Sequence, residues 1–189
     1  YLYFNRGRSG AAAEAWQILS PVRQKPWGVE PLNRLIHRRY KAQQVESSTN
    51  VPRYEKRRFL RPQGDQQIIY GDKVINNANT SLSPRRIYPE ATNAYLANGE
   101  IGIVVGQMRT KSFDYVPRHL EIEFSTQLNS AVKFYPNQFD EENGDANLDL
   151  AYVLTVHKAQ GSEFDTVFLI LPKTSFALTR ELIYTALTR

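Results

Sequence analysis

The sequence predicts an α/β fold, a parallel sheet flanked by helices and interrupted by a small inserted β-barrel. Three observations carry this expectation. Residues 150–156 and 166–171 are apolar runs without polar alternation, the pattern of strands covered on both faces. Residues 60–145 contain several short β-prone runs separated by turn signals such as Gly71-Asp72 and Asn98-Gly99. Ahead of that block, a short apolar run at residues 16–19 leads into Leu32, Leu35 and Ile36 at helical spacing. One α/β unit therefore starts near residue 11, breaks off, and resumes near residue 148. The expected organisation is a first part over residues 1–55, an inserted barrel over residues 60–145, and a second part over residues 148–189.

Each element has its own local reason. Residues 11–15 favour helix. Ser20-Pro21 ends the strand at residues 16–19. Pro31 suits the first turn of a helix, where its missing N–H has no partner to lose. The helix would place Leu32, Leu35 and Ile36 on one face and Arg34, His37, Arg38, Arg39 and Lys41 on the other. Over residues 42–64 the periodicity dissolves, and Arg53, Lys56, Arg57, Arg58 and Arg61 gather in a polar, proline-bearing stretch that reads as a boundary. Within the β-rich block, residues 67–75 hold a turn between two apolar runs, residues 101–105 read as a buried strand and residues 131–135 as another. Residues 120–124 alternate apolar and acidic side chains, as a half-exposed strand does. The acidic, turn-rich residues 140–149 mark a second boundary. Thr179 is placed to cap a helix bearing Leu182, Ile183, Ala186 and Leu187.

Composition narrows the function classes. The 189 residues carry 24 basic and 19 acidic side chains, a net charge of +5, with 41% apolar residues and no cysteine. An isoelectric point of about 9.4 points toward phosphate-rich partners. The basic clusters at residues 34–41 and 53–61 would supply the attraction. Absence of cysteine removes disulfide scaffolds, thiolate zinc sites and cysteine nucleophiles, and fits a reducing, cytoplasmic setting. No apolar run approaches the roughly 20 residues of a membrane span, so a membrane partner is not expected. The chain begins without methionine and ends inside a helical pattern without a stop signal, and so reads as a piece of a longer protein.

Several chemistries fail on spacing. His37, His119 and His157 are far apart, so no zinc motif forms and no metal site is expected. Asp145, Asn147 and Asp149 imitate the start of a calcium loop, but Leu150 and Val156 stand where glycine and glutamate are needed. No apolar strand precedes Asp140-Glu141-Glu142, and no phosphate-cradling loop occurs.

Residues 155–164 are the informative stretch. A buried strand ends there in polar side chains, at the sheet edge where α/β proteins place ligands. Thr155 and His157 can donate to phosphate oxygens, Lys158 adds charge, Gly161 permits close backbone approach and Glu163 is an acceptor. The same residues also fit a plain strand–loop–strand connection with a solvated surface.

This stretch follows the pattern T-x-H-K-x-Q-G-S-E-F and resembles motif V of superfamily 1 helicases of the UvrD/RecD type. Tyr184, Thr185, Ala186, Leu187, Thr188 and Arg189 resemble their motif VI. Leu19-Ser20-Pro21-Val22-Arg23 with Gly28, Leu32 and Asn33 is similar to a strand and helix of their second motor domain. Gly71-Asp72-Lys73-Val74 and Asn98-Gly99-Glu100-Ile101-Gly102 resemble the SH3-like insertion of the RecD branch. The resemblance spans roughly residues 16–189. It implies a RecA-like parallel sheet, as the C-terminal motor domain, interrupted by an SH3-like β-barrel. It also implies ATP and Mg2+ as cofactors of the full-length protein, held with an N-terminal motor domain that this chain lacks, and none in the chain alone. Single-stranded DNA is the implied partner, with other subunits of a recombination or repair complex. Carried over by position, Thr155 and His157 hold the DNA backbone, with Ser20 and Arg23 as further contacts. Lys158 either touches DNA or faces solvent. Gly161 and Glu163 lie beside the nucleotide. Arg189 is the arginine finger, a forked and permanently charged group suited to phosphate oxygens. The isolated chain is expected to be inactive. The alternative is a non-enzymatic nucleic-acid-binding module, because the turn-bearing residues 71–72 and 98–104 also resemble KOW-type SH3-like barrels. Tyr70, Tyr88 and Tyr95 would be core residues or base-stacking platforms.

Overall fold

A computed structural model describes residues 9–49, 59–88, 94–109, 116–127, 129–139, 147–173 and 179–189. The elements are α1 (Ser9–Ala12), β1 (Gln17–Ser20), α2 (Val29–Thr49), β2 (Lys73–Asn76), β3 (Thr80–Leu82), β4 (Ile87–Tyr88), β5 (Ala94–Leu96), β6 (Ile101–Arg109), β7 (Pro117–Phe124), β8 (Ala131–Phe134), β9 (Leu148–Leu150), β10 (Val153–Thr155), β11 (Val167–Leu169) and α3 (Arg180–Leu187). Strands β10, β1 and β11 form a parallel sheet in that order. The α/β unit therefore does resume after the β-rich block, with the chain's early strand between two late ones. Ser20 lies beside Thr155 in the register, so the carboxyl ends of β1 and β10 are level.

The β-rich block is an antiparallel six-stranded sheet, ordered β4-β8-β7-β6-β2-β9, with β3 and β5 as a separate ribbon. The expected barrel is not closed among the described residues. Its β2 edge is covered by β9, through Val74↔Leu150 and Ile75↔Asp149. That strand leaves at once for the parallel sheet, and among the described residues no strand joins it to β4 at the far edge.

The single strand expected at residues 150–156 is therefore two strands in two sheets. Ala151 N–H donates to Lys73 O at 2.8 Å, the last rung on the large sheet, and Val153 then pairs with Ile18. Distant side chains complete the switch. Gln17 Nε2 lies 3.1 Å from both Ala151 O and Tyr152 O. Asn33 donates to Leu150 O and Val153 O and accepts from Val153 N–H. Buried backbone groups at the crossing are thus paired without a ladder.

Other expectations are corrected by what packs where. Helix α2 continues to Thr49, through part of the expected boundary. The hydroxyls of Ser47, Ser48 and Thr49 bond to carbonyls of Gln44 and Val45, satisfying acceptors near the helix end. Leu32 and Ile36 pack on the core, but Leu35 is 60% exposed and His37 is buried in its place. The inward face runs through positions 29, 32, 33, 36 and 37, about 100° per residue, which leaves position 35 outside. Strand β7, expected to be half-exposed, buries Glu121 and Glu123 as well as Leu120, Ile122 and Phe124. Helix α1 covers it, with Ser9 and Gly10 N–H groups donating to Glu123 Oε2 at 3.2 and 3.3 Å. Across from it, a Cβ on Gly102 would lie 2.6 Å from Glu123 O, so β6 approaches β7 here only as glycine. Strand β11 is an edge strand whose Phe168 is 56% exposed, and so it is not covered on both faces.

Two apolar clusters hold these layers. Val104, Leu120, Ile122, Phe124, Val132 and Phe134 centre the first, on which α2 packs. Leu19, Leu154, Val156, Ile75, Phe164 and Ala186 form the second, which joins the two sheets to α3. Arg53, Lys56, Arg57, Arg58, Asp140, Glu141, Glu142, Asp145 and the Tyr88 side chain lie outside the described residues. Among the described residues no helix is long and apolar enough to cross a membrane.

Candidate functional site

The carboxyl end of β10 opens into a cleft of about 360 Å³. Arg23, Glu30, Asn33, Arg34, Asp65, Gln66, Asp149, Thr155 and Lys158 are among its lining residues. Thr155 Oγ1 accepts from Lys158 N–H at 3.1 Å, which turns the chain sharply after β10. Lys158 then reaches the large sheet. Its Nζ donates to Asn77 Oδ1 at 2.6 Å and pairs with Asp149 Oδ2 at 3.3 Å, and Gln66 Nε2 donates to the other Asp149 oxygen at 2.7 Å. The sequence offered solvent or ligand for Lys158; in the structure its partners are Asp149 and Asn77. Arg23 is 70% exposed and pairs with Glu30 at 3.5 Å. Ser20 is buried, its Oγ 2.9 Å from Trp27 O and 3.2 Å from Val22 O, so it braces the loop beneath the cleft. His157 is exposed and does not line the cleft.

A second, open groove is lined by Ala11, Glu14, Glu163, Phe164, Asp165, Leu187, Thr188 and Arg189. The chain reaches it through Gly161, whose φ of +92° suits glycine. Phe164 N–H donates to Arg189 O at 2.8 Å, joining the strand–loop motif to the end of α3. Arg189 Nε donates to Thr185 O at 3.3 Å. Thr179 caps α3 as its position implies, accepting from Leu182 N–H at 3.2 Å. Hydrogen bonds from its own backbone and from Thr179 hold the Glu181 carboxyl below the usual range.

The structure thus gathers Thr155, Lys158 and Arg23 at one cleft and Glu163 with Arg189 at another groove. Ser20 lies beneath the first, and His157 and Gly161 are outside both linings. Of the basic face expected on α2, Arg34, Arg38 and Arg39 are exposed. His37 and Lys41 turn inward toward Asp72. Tyr70 is buried, whereas Tyr95 is exposed.

Sequence reasoning missed two sets of polar residues. Asp72 is fully buried and accepts from Tyr152 Oη at 2.7 Å and Ile69 N–H at 2.7 Å, with His37 Nε2 at 3.1 Å. Burial, with Asp72 alongside, pushes the Tyr152 hydroxyl well above its ordinary value, and burial lowers Lys41 against the pull of Asp72. The second is Lys73, buried where the sheets meet. Its Nζ donates to Trp16 O at 2.5 Å and lies 4.6 Å from the Trp16 ring centroid and 5.8 Å from that of Phe164. Desolvation lowers its pKa to about 7, with Glu14 opposing. An acidic or basic residue inside an apolar run was the available signal in both cases. Among the described residues no group of three His, Cys, Asp or Glu side chains is placed to hold a metal ion.

Known proteins resemble this chain over its motif-bearing end and beyond. Residues 150–189, which carry the β10–α3 segment and both groups of motif residues, match the UvrD-like helicase C-terminal domain family. These matches support a UvrD-like helicase C-terminal domain over residues 150–189. Its similarity extends over 179 residues to the ATP-dependent RecD2 DNA helicase of Deinococcus radiodurans, with 31% identity, covering 93% of this chain and 19% of that protein. It is also 46% identical over 44 residues to the RecBCD enzyme subunit RecD of Mycobacterium tuberculosis, covering 23% of this chain and 8% of that one. The chain spans about a fifth or less of the length of these relatives. Among solved structures it is similar to the Pif1 helicase from Bacteroides in complex with ADP-AlF3 and ssDNA, at 16% identity and a TM-score of 0.44, covering 92% of this chain and 38% of that one.

Proposed function

We propose that this chain is the C-terminal portion of a RecD-like, ATP-dependent DNA helicase, supplying single-stranded DNA contacts and the arginine finger. The observation that carries the reading is the Phe164–Arg189 hydrogen bond of 2.8 Å, which ties the two motif segments together. In this reading the first cleft takes the DNA backbone. Thr155 and Lys158 stand at its floor, Arg23 and Arg34 at its rim, and His157 and Ser20 flank or support it. The second groove faces the nucleotide, with Glu163 beside it and Gly161 allowing the approach. Arg189 stabilises charge on the transferring phosphoryl group. Residues 1–55 and 148–189 form the motor part and residues 60–145 the insertion, read as an opened SH3-like sheet. In this reading phosphate-loop and Mg2+ chemistry belong to an N-terminal motor domain outside this chain, because the sequence carries no phosphate-cradling G-x-x-x-x-G-K-[ST] pattern.

Two assays on separate proteins test this. The full-length protein should unwind a tailed DNA duplex with ATP, and the 189-residue chain alone should release no phosphate, because transition-state clamps act only on a positioned nucleotide. Single-stranded-DNA-stimulated turnover by the purified chain, or no ATP-dependent unwinding by the full-length protein, contradicts the reading.

A further inference from the structure

Lys73 belongs to neither motif, yet the short strand it opens runs between residues that contact both motif segments. It opens β2, whose four residues span about 13 Å. At its far end, Asn77 follows β2 and accepts from Lys158 in the first cleft. At the near end, Lys73 reaches out of the antiparallel sheet to Trp16 O and lies over the rings of Trp16 and Phe164. Phe164 is buried under it and holds Arg189 O through its N–H. A buried lysine is costly unless its head is well placed, and a methionine would fill the same space without that cost. Core packing alone therefore gives no reason for lysine here. What the amino head adds is direction, a hydrogen bond to the backbone entering β1 and a contact with the ring of Phe164, the residue that holds Arg189.

We propose that Lys73 is a positioning residue for the Arg189 groove, acting through Phe164, so that β2 links the DNA-side cleft to the nucleotide-side groove. This rests on the reading of Arg189 as the arginine finger. A finger acts on the transition state, so a displaced Phe164–Arg189 unit lowers kcat while ATP KM and single-stranded DNA affinity stay unchanged. A small misplacement far from the chemistry costs about 10²-fold.

The test is steady-state ATP hydrolysis by the full-length helicase on saturating single-stranded DNA, with Lys73→Met, Lys73→Arg, Phe164→Leu and Arg189→Ala. Lys73→Met should lose about 10²-fold in kcat with unchanged KM and DNA affinity and a melting temperature at or above wild type, and Lys73→Arg should recover most of the loss. If Lys73→Met does not fold, Phe164→Leu carries the same expectation. Wild-type kcat in a folded Lys73→Met, or in Phe164→Leu, overturns the role of Lys73 while loss in Arg189→Ala leaves the functional reading standing. Retention of kcat in Arg189→Ala instead removes the functional reading itself.

Discussion

Asn33 grips the backbone of Val153 from both sides: its Oδ1 accepts from Val153 N–H and its Nδ2 donates to Val153 O, each at 2.9 Å. A side chain from α2 thereby replaces the strand partner missing where β9 gives way to β10. Replacing Asn33 with leucine leaves buried N–H and C=O groups unpaired, at about 1–3 kcal/mol for each group so stranded. Urea unfolding of the chain should show a lower midpoint with an unchanged slope. An unchanged midpoint would mean that the crossing does not depend on this clamp.

The Asp72 centre is a second buried polar structure with no slack. Asp72→Ala strands the Tyr152 hydroxyl, Ile69 N–H and His37 together, and loss of a paired buried charge costs about 3–5 kcal/mol. Tyr152→Phe should cost less, because Asp72 keeps its other donors. Chemical denaturation of the two variants should rank them in that order, and equal stabilities would contradict the geometry.

Lys73 gives stability a pH dependence of defined sign. Its folded pKa is about 7 against an ordinary 10.5, and Glu14 is the acidic group that faces it. Between those values the unfolded chain holds a proton that the folded chain lacks, so stability rises with pH across that window and is flat below it. The difference in unfolding free energy between wild type and Lys73→Met should therefore move in favour of wild type from pH 7 to pH 9. A difference that does not change with pH would place the ammonium in water.

Much of this architecture is visible in the amino-acid sequence. The apolar runs at β1, β10 and β11, the Thr179 cap and the turns at Gly71 and Gly99 are all local signals, and local rules recover them. The parts that escape are set by distant partners. The break at Ala151-Tyr152 falls inside an apolar run and is imposed by Asn33, Gln17 and Lys73. Glu121 and Glu123 alternate as if one face were wet, but α1 covers that face. Lys158 looks like a free basic residue because its partner Asp149 belongs to another sheet. The separation of the motif residues between two surfaces follows from Gly161 turning the chain, a geometry that residue spacing alone does not express.

If the first cleft takes a phosphate backbone, Arg23 and Arg34 should each release a counterion on binding. Arg23→Ala and Arg34→Ala should weaken binding of labelled single-stranded oligonucleotides similarly across base sequences, and each should reduce the salt slope by about one. Fluorescence anisotropy over a salt series reads both quantities. A salt-insensitive affinity, or a preference for one folded RNA, would favour a non-helicase nucleic-acid module.

If Arg189 acts on the transferring phosphoryl group, ATP turnover depends on it and DNA affinity does not. The most direct measurement compares DNA-stimulated ATP turnover and single-stranded DNA affinity in the full-length protein with and without Arg189→Ala. Arg189→Ala should lose about 10³-fold or more in turnover with DNA affinity retained. Turnover near that of the wild type, with the variant folded and bound to DNA, would contradict it.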